Sequence, residues 1–189
     1  FTHSATVVND TAVYAEGDVL QNRTTYFRQL TPQLDGSFVY SYTATDGGDL
    51  TVDATTMLVL RSYEEGNEGE AAEYWRLDSE LDGQQVSSLE PGDSVRVPFS
   101  VNVTEARQRL SEVDDQFGST PGQKQLRVES QVTISGTRNG ESVSTTRTYA
   151  LPISVSDSVY NIQDDGPTTA SGSQTERIEV TAEPGPLRA

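Results

Sequence analysis

Between residues 91 and 155 the spacing of apolar positions changes twice, and each change marks an element. Val95, Val97, Phe99, Val101 and Val103 fall at every second position. That is the period of a strand with one buried face. Val103, Ala106, Leu110, Val113 and Phe117 then follow at intervals of three and four, one face of a helix. Thr104 is the expected N-cap, Glu105 suits the first turn, and Gly118 is the expected stop. Leu126, Val128, Ser130, Val132 and Ile134 next alternate with polar residues. Asn139-Gly140 is a two-residue hairpin signal, because both positions tolerate a left-handed backbone. Val143, Thr145, Arg147, Tyr149, Leu151, Ile153 and Val155 continue at one parity. Pro152 has no N–H to give to a ladder, which restricts the end of this strand to an edge or a bulge.

The rest of the chain supplies further strands. Residues 1–8 read as an extended arm or edge strand, and residues 11–14 as a short β-branched one. Residues 24–30 read as a strand broken by Thr31-Pro32. Over residues 37–45, Phe38, Tyr40 and Tyr42 share one face and Val39 the other. Asp46-Gly-Gly-Asp49 turns the chain into residues 50–63, where Leu50, Val52, Ala54, Thr56, Leu58 and Leu60 keep one parity. Met57 and Val59 suggest cover on both faces in its second half. An acidic loop at 64–73, strands at 74–77 and 84–89, and a turn at 91–93 lead back to the opening segment. Residues 163–175 have linker composition, and Ile178 and Val180 lie on one face of a last short strand. Strands with turn signals between them predict a mainly β chain: an antiparallel β-sandwich, immunoglobulin-like in general architecture, with one inserted helix near 104–117. Residues 1–162 are expected to form the domain, with 1–10 as an arm or strand, followed by the 163–175 linker and a strand and tail over 176–189.

Charge adds habitat to this picture. The formal net charge is −16, from 29 acidic and 13 basic residues, and Lys124 is the one lysine among the latter. In concentrated salt, repulsion is screened within a few ångströms, so a surface this acidic costs little and stays hydrated. A halophilic source is the expectation. Nothing resembles a basic stripe, so nucleic acid is not an expected partner. There is no cysteine, which removes disulfides, thiol catalysis and cysteine-ligated zinc together. No apolar run approaches a membrane span. Phe1 opens a stretch without the charged-then-apolar plan of a signal peptide, as expected of a trimmed chain. Asn9, Asn22 and Asn102 each begin an Asn-x-Thr sequon and are candidate glycosylation sites.

Candidate chemistry is sparse. His3 is the only histidine, and no Gly-x-Ser-x-Gly elbow supplies a nucleophile. Lys124 follows Pro-Gly-Gln in a turn with no marked serine partner. The pair Asp114-Asp115 lies on the expected polar side of the helix. Glu64, Glu65, Glu68 and Glu70 are weak candidates for a bound cation, since the loop lacks the ligand spacing of a calcium site. Tyr74 and Trp75 could form a sugar platform, but a lone Trp at a strand start is more often a core residue. No cofactor is expected. The apolar alternation at the two ends is the most suggestive feature: Ala5 and Val7, and Ile178 and Val180, are candidate strand-donation residues. Such arms dock on their own sheet or extend a neighbour's open edge.

The run Thr11-Ala-Val-Tyr14 with Val19-Leu20, then Tyr26 and Leu30-Thr-Pro32, then residues 97–103 running into the helix to Phe117-Gly118, resembles a haloarchaeal family of uncharacterised membrane-anchored ectodomains. The resemblance covers roughly residues 1–162. It implies a position outside the membrane, between hydrophobic segments absent from this chain, and brings no catalytic residues. The expectation is a non-enzymatic extracellular structural or assembly protein, a filament or pilus subunit in its sharpest form, whose partners are copies of itself or other cell-surface proteins. The alternative is an ectodomain that binds a polysaccharide or a cation.

Overall fold

The alternation over residues 33–42 and 94–102 produces two strands that pair along their whole length, and one sheet grows around them. A computed structural model of the chain describes residues 1–65, 71–163, 169–170 and 176–177. Its first elements are β1 (Thr2–Thr6), β2 (Val19–Gln21), β3 (Thr25–Phe27), β4 (Gln33–Tyr42), β5 (Gly48–Glu65), β6 (Ala71–Leu89) and β7 (Ser94–Asn102). Then come α1 (Val103–Gln116), β8 (Gln123–Arg138), β9 (Glu141–Val155), β10 (Val159–Ile162), β11 (Thr169–Ala170) and β12 (Glu176–Arg177).

Two antiparallel sheets enclose one core. The first is built on β4, which pairs with β7 from Gln33–Asn102 to Ser41–Ser94. The opposite edge of β4 carries two short strands in succession. β1 covers Leu34 to Ser37, and β12 covers Ser41 and Tyr42. β2 completes this side by pairing with β1. The second sheet runs β3-β10-β9-β8-β5-β6. The chain crosses between the sheets at β2–β3, β3–β4, β4–β5, β6–β7 and through α1 from β7 to β8, while β5–β6 and β8–β9 are hairpins within the second sheet, so the fold is the expected sandwich.

Phe38, Tyr40 and Tyr42 of β4 are fully buried, as their shared parity requires, and Val95, Val97, Phe99 and Val101 of β7 join them. From the other sheet come Leu50, Val52, Ala54, Val128, Val132 and Ile134. Removing one such large side chain leaves a cavity that costs about 3–5 kcal/mol. Two tyrosines of the second sheet, Tyr26 and Tyr160, stack at 5.3 Å between ring centroids. Tyr160 donates its hydroxyl proton to the Thr31 carbonyl at 2.6 Å, and Tyr26 lies 2.7 Å from Nδ1 of the buried His3.

Several local expectations change. The helix begins two residues earlier: Asn102, not Thr104, is the N-cap, and its Oδ1 accepts from the Glu105 amide at 3.0 Å. Asn accepts this bond as well as Thr does, and such a cap is worth about 1 kcal/mol. Gly118 takes the left-handed backbone after the last turn, at φ 79°. Residues 11–14 are a side-chain-closed turn and not a strand, because Thr11 Oγ1 accepts from the Val13 and Tyr14 amides. The strand expected over 24–30 is only β3, and the two expected at 74–77 and 84–89 are one continuous β6. Register shifts against β5 interrupt the period of β6, which hides its continuity in the sequence. Asn139 and Gly140 both have positive φ and close the β8–β9 hairpin as expected. Pro152 sits between neighbours rather than on an open edge. Its carbonyl accepts from Gln163 just past the end of β10, so its missing N–H costs the ladder one bond there.

Gly36 is required where β1, β4 and β7 meet: a Cβ there would collide with the Phe99 ring and the Thr2 carbonyl. Gly36→Ala is expected to lower unfolding stability by about 1–3 kcal/mol in urea denaturation, the range for overpacking; an unchanged midpoint would refute this packing. A second expectation concerns alkali. Burial pushes the Tyr26 hydroxyl up to about 12 against a backbone hydrogen bond and a charge from Arg23 that pull it down. Burial raises Tyr160 in the same direction. An unfolded tyrosine ionises near 10 while these stay protonated, so their contribution is intact below pH 10 and is lost as pH rises towards 12. Unfolding followed by tyrosinate absorbance should show that decline, and Tyr26→Phe should flatten it.

Candidate functional site

The strongest constellation gathers the chain's only tryptophan and only lysine around one buried carboxylate at the C-terminal end of α1. The helix turns Val103, Ala106, Leu110 and Val113 inward, and Asp114 with them. Asp114 lies four residues beyond Leu110, so it belongs to the buried stripe, whereas Asp115 stays exposed. This corrects the expectation that both residues of the pair lie on the polar side.

Asp114 Oδ1 accepts from Trp75 Nε1 at 2.9 Å, from the Thr120 hydroxyl at 2.6 Å and from the Thr120 amide at 3.3 Å. Lys124 Nζ lies 3.6 Å from Oδ2. Burial alone would raise the Asp114 pKa. The hydrogen bonds from Thr120 and Trp75 and the charge of Lys124 outweigh it and hold the carboxyl below the usual carboxylate range. Lys124 also donates to the Thr120 carbonyl at 2.8 Å, which ties its side chain to the loop after the helix. Trp75 is 6% exposed, with Phe117 stacked on its ring at 6.2 Å and 11°. Phe117 itself is 59% exposed. The indole is therefore a core residue under an aromatic cover. Tyr74 occupies the register shift beside it and donates to Glu64 Oε2 at 2.5 Å. The two rings of the suggested sugar platform do not share a surface.

Next to this cluster lies a cleft of about 280 Å³ between α1 and the second sheet. Leu110, Leu126, Ile153 and Val155 form its apolar wall, and Arg107, Lys124 and Asp115 its charged rim. Arg107 is itself engaged with Asp157 at 3.2 Å. A second charged group covers the outer face of the second sheet. Glu129 bridges Arg76 at 3.0 Å and Arg127 at 2.6 Å, and Val59 beside them is fully buried. The two-sided cover expected for β5 is thus partly arginine stems lying over Val59. Burial lowers the Arg127 pKa. Arg76 is raised, because its bonds to Asp78 and Glu129 overcome the effect of burial.

The other sequence candidates scatter. Ala5 is buried in the chain's own sheet through β1, Val7 is buried just past the end of that strand, and Ile178 and Val180 lie outside the described residues. Of the acidic loop, Glu68 and Glu70 are outside them, as is the Glu65 side chain, and Glu64 is bonded to Tyr74. Among the described residues no group of three or more His, Asp or Glu is placed to hold a metal ion. His3 is buried against Tyr26. Asn9, Asn22 and Asn102 lie in a loop, beside β1 and at the helix cap respectively. Asp114 is the residue that sequence reading missed. A lone tryptophan that needs an acceptor and an acid at an inward helical position were the available signals.

The depressed Asp114 pKa makes a pH prediction. Its stabilising contribution is present above the unfolded carboxylate value of about 3.9 and disappears as pH falls through its lower folded value. Asp114→Asn keeps an acceptor for Trp75 but cannot titrate. Its urea midpoint is expected to fall less between pH 5 and pH 2 than that of the parent chain, followed by Trp75 fluorescence. Identical acid profiles would show that Asp114 does not link folding to pH.

Residues 75–189 match a family described as of unknown function, DUF5305. A protein of Archaeoglobus fulgidus described as uncharacterized is 26% identical over 161 residues, which is 85% of this chain and 45% of that protein. The chain thus spans less than half the length of that relative. No solved structure matches. The family match takes in β6 from Trp75 onward, the helix with Asp114, and β8 to β10, so the Asp114 cluster lies wholly within it, and the chain belongs to the family of unknown function DUF5305.

Proposed function

We propose that this chain is a non-enzymatic extracellular module of a halophilic archaeal cell surface that serves structure or assembly, and that copies join by exchange of strand β1. The observation that carries the reading is the edge of β4. One edge accepts two separate segments end to end, β1 over Leu34 to Ser37 and β12 over Ser41 and Tyr42. The slot filled by β1 is lined for alternate side chains: Phe1 sits against Phe38 at 5.2 Å and Phe99 at 6.3 Å, with Ala5 and Val7 fully buried. Residues 8–18, which leave β1, join no strand. A strand held by a ladder and side-chain pockets, on an irregular connection, fits the same slot in a second copy equally well. A chain of such exchanges grows into a filament.

Habitat and location rest on composition and on the resemblance to haloarchaeal membrane-anchored ectodomains. The charge of −16 with a single lysine suits concentrated salt. The non-enzymatic reading rests on the state of the reactive groups. Lys124, Asp114 and His3 are each committed to protein partners. A second reading, a ligand-binding ectodomain, is favoured by the cleft beside α1, whose apolar wall and charged rim suit a small amphipathic molecule.

Deleting β1 would empty part of the core, so exchange is better blocked than removed. Ser4 and Asp35 are opposite neighbours on β1 and β4. With no native cysteine, Ser4→Cys with Asp35→Cys gives one defined disulfide. Reduced protein in molar salt is expected to form filaments visible by electron microscopy, and protein oxidised as monomer is expected to remain monomeric. Equal polymerisation of both forms, or monomers throughout, would reject strand exchange.

A further inference from the structure

We propose that Asn9 is the N-glycosylated residue of this chain and that the sequons at Asn22 and Asn102 stay unmodified. The proposal rests on the extracellular reading above and adds the site. A glycosyl transfer needs the asparagine and the two residues after it to leave the protein body and enter an enzyme groove. The bond formed joins Nδ2 to the anomeric carbon of a lipid-phosphate-linked oligosaccharide. The carbon–oxygen bond to the phosphate breaks, the lipid phosphate departs, and Nδ2 gives up a proton.

The three sequons differ in how they are held. Asn102 closes the first turn of α1 through Oδ1, and Val103 after it is fully buried, with its amide bonded to the Pro32 carbonyl at 2.9 Å. Pulling this tripeptide out would uncap the helix and unseat a core residue. Asn22 is exposed but pinned. Its amide donates to the His3 carbonyl at 2.8 Å, and its Oδ1 accepts from the His3 amide at 3.0 Å. The next two residues are tied as well, the Arg23 amide to the Tyr26 hydroxyl at 3.1 Å and the Thr24 carbonyl to the Ile162 amide at 2.9 Å. These bonds join residues in both sheets.

Asn9 is held by none of this. It is exposed, and its side chain makes no hydrogen bond among the described residues. Bonds in its sequon stay within the loop: Asp10 accepts from the Glu16 amide, and Thr11 bonds Val13 and Tyr14. The tripeptide can move without opening either sheet. Val8 and Val13, 41% and 79% exposed, flank it, and they are two of the five large apolar side chains exposed among the described residues. A hydrated glycan at Asn9 would screen both.

The test uses the full chain purified from its own host, with peptide mass mapping and three variants. Asn9→Gln replaces a side chain that bonds nothing among the described residues. Thr24→Ala and Thr104→Ala abolish the other sequons and leave the Asn22 and Asn102 bonds in place. The expected result is complete loss of glycan mass in Asn9→Gln and unchanged glycan in the other two. Glycan surviving Asn9→Gln, or lost from Thr24→Ala or Thr104→Ala, overturns the assignment. Added protease on intact cells separates the two readings. Unglycosylated chain that the protease cleaves refutes the Asn9 site alone, whereas chain protected inside the cell refutes the extracellular reading and the site together.

Discussion

Strand β4 has two edges to satisfy, and the first sheet is the answer to that demand. An unpaired edge at this depth would leave backbone amides and carbonyls without partners, each costing free energy comparable to a lost hydrogen bond. β7 meets one edge in full. The other is met in pieces, by β1 and then by β12, so segments far apart in sequence depend on the same ten residues. Gly36 permits this, because its missing side chain leaves room for the Phe99 ring and the close approach of Thr2. The aromatic stripe of β4 then sets the thickness of the core against which the second sheet packs.

Asp114 fixes the helix to that framework. Apolar contact alone would let α1 slide or rotate over the second sheet, since dispersion is not directional. A carboxylate that must receive the Trp75 indole and the Thr120 hydroxyl admits one position. The same geometry keeps an acid ionised in a half-apolar site, because its lost hydration is replaced by fixed donors and a nearby ammonium. The ion pair with Lys124 gains little by itself in such a rim position; its value lies in orienting the loop after the helix.

The architecture was legible in sequence wherever one face is apolar and the other polar. β4, β5, β7, β8, β9 and the helix stripe all follow from alternation, and the Asn139-Gly140 turn follows from backbone stereochemistry. What the pattern hid has physical causes. The register shifts of β6 break a period that sequence reading depends on. Asn102 and Thr104 are both competent caps, and only the burial of Val103 decides between them. The 11–14 turn is β-branched, yet a threonine hydroxyl closes it before a ladder can form. The site was less legible than the fold. Trp75 as a core residue was foreseeable, but the acceptor it requires lies 39 residues away, and pairing at that distance is a property of the sandwich and not of any motif.

The Tyr26–Tyr160 pair has a consequence in time. The Tyr160 hydroxyl bonds Thr31, 129 positions earlier in the chain, and among the described residues β3 pairs with β10 alone. A chain that emerges from its amino end therefore exposes β3, with the Tyr26 ring that is fully buried in the folded domain and unpaired backbone, until almost the whole domain has appeared. Closing so long a loop is slow, since chain entropy is lost before the contacts that repay it are made. Such a polypeptide is vulnerable for most of its synthesis. Its 29 acidic side chains, which stay hydrated even where salt screens their repulsion, then keep incomplete copies in solution until the last strand arrives.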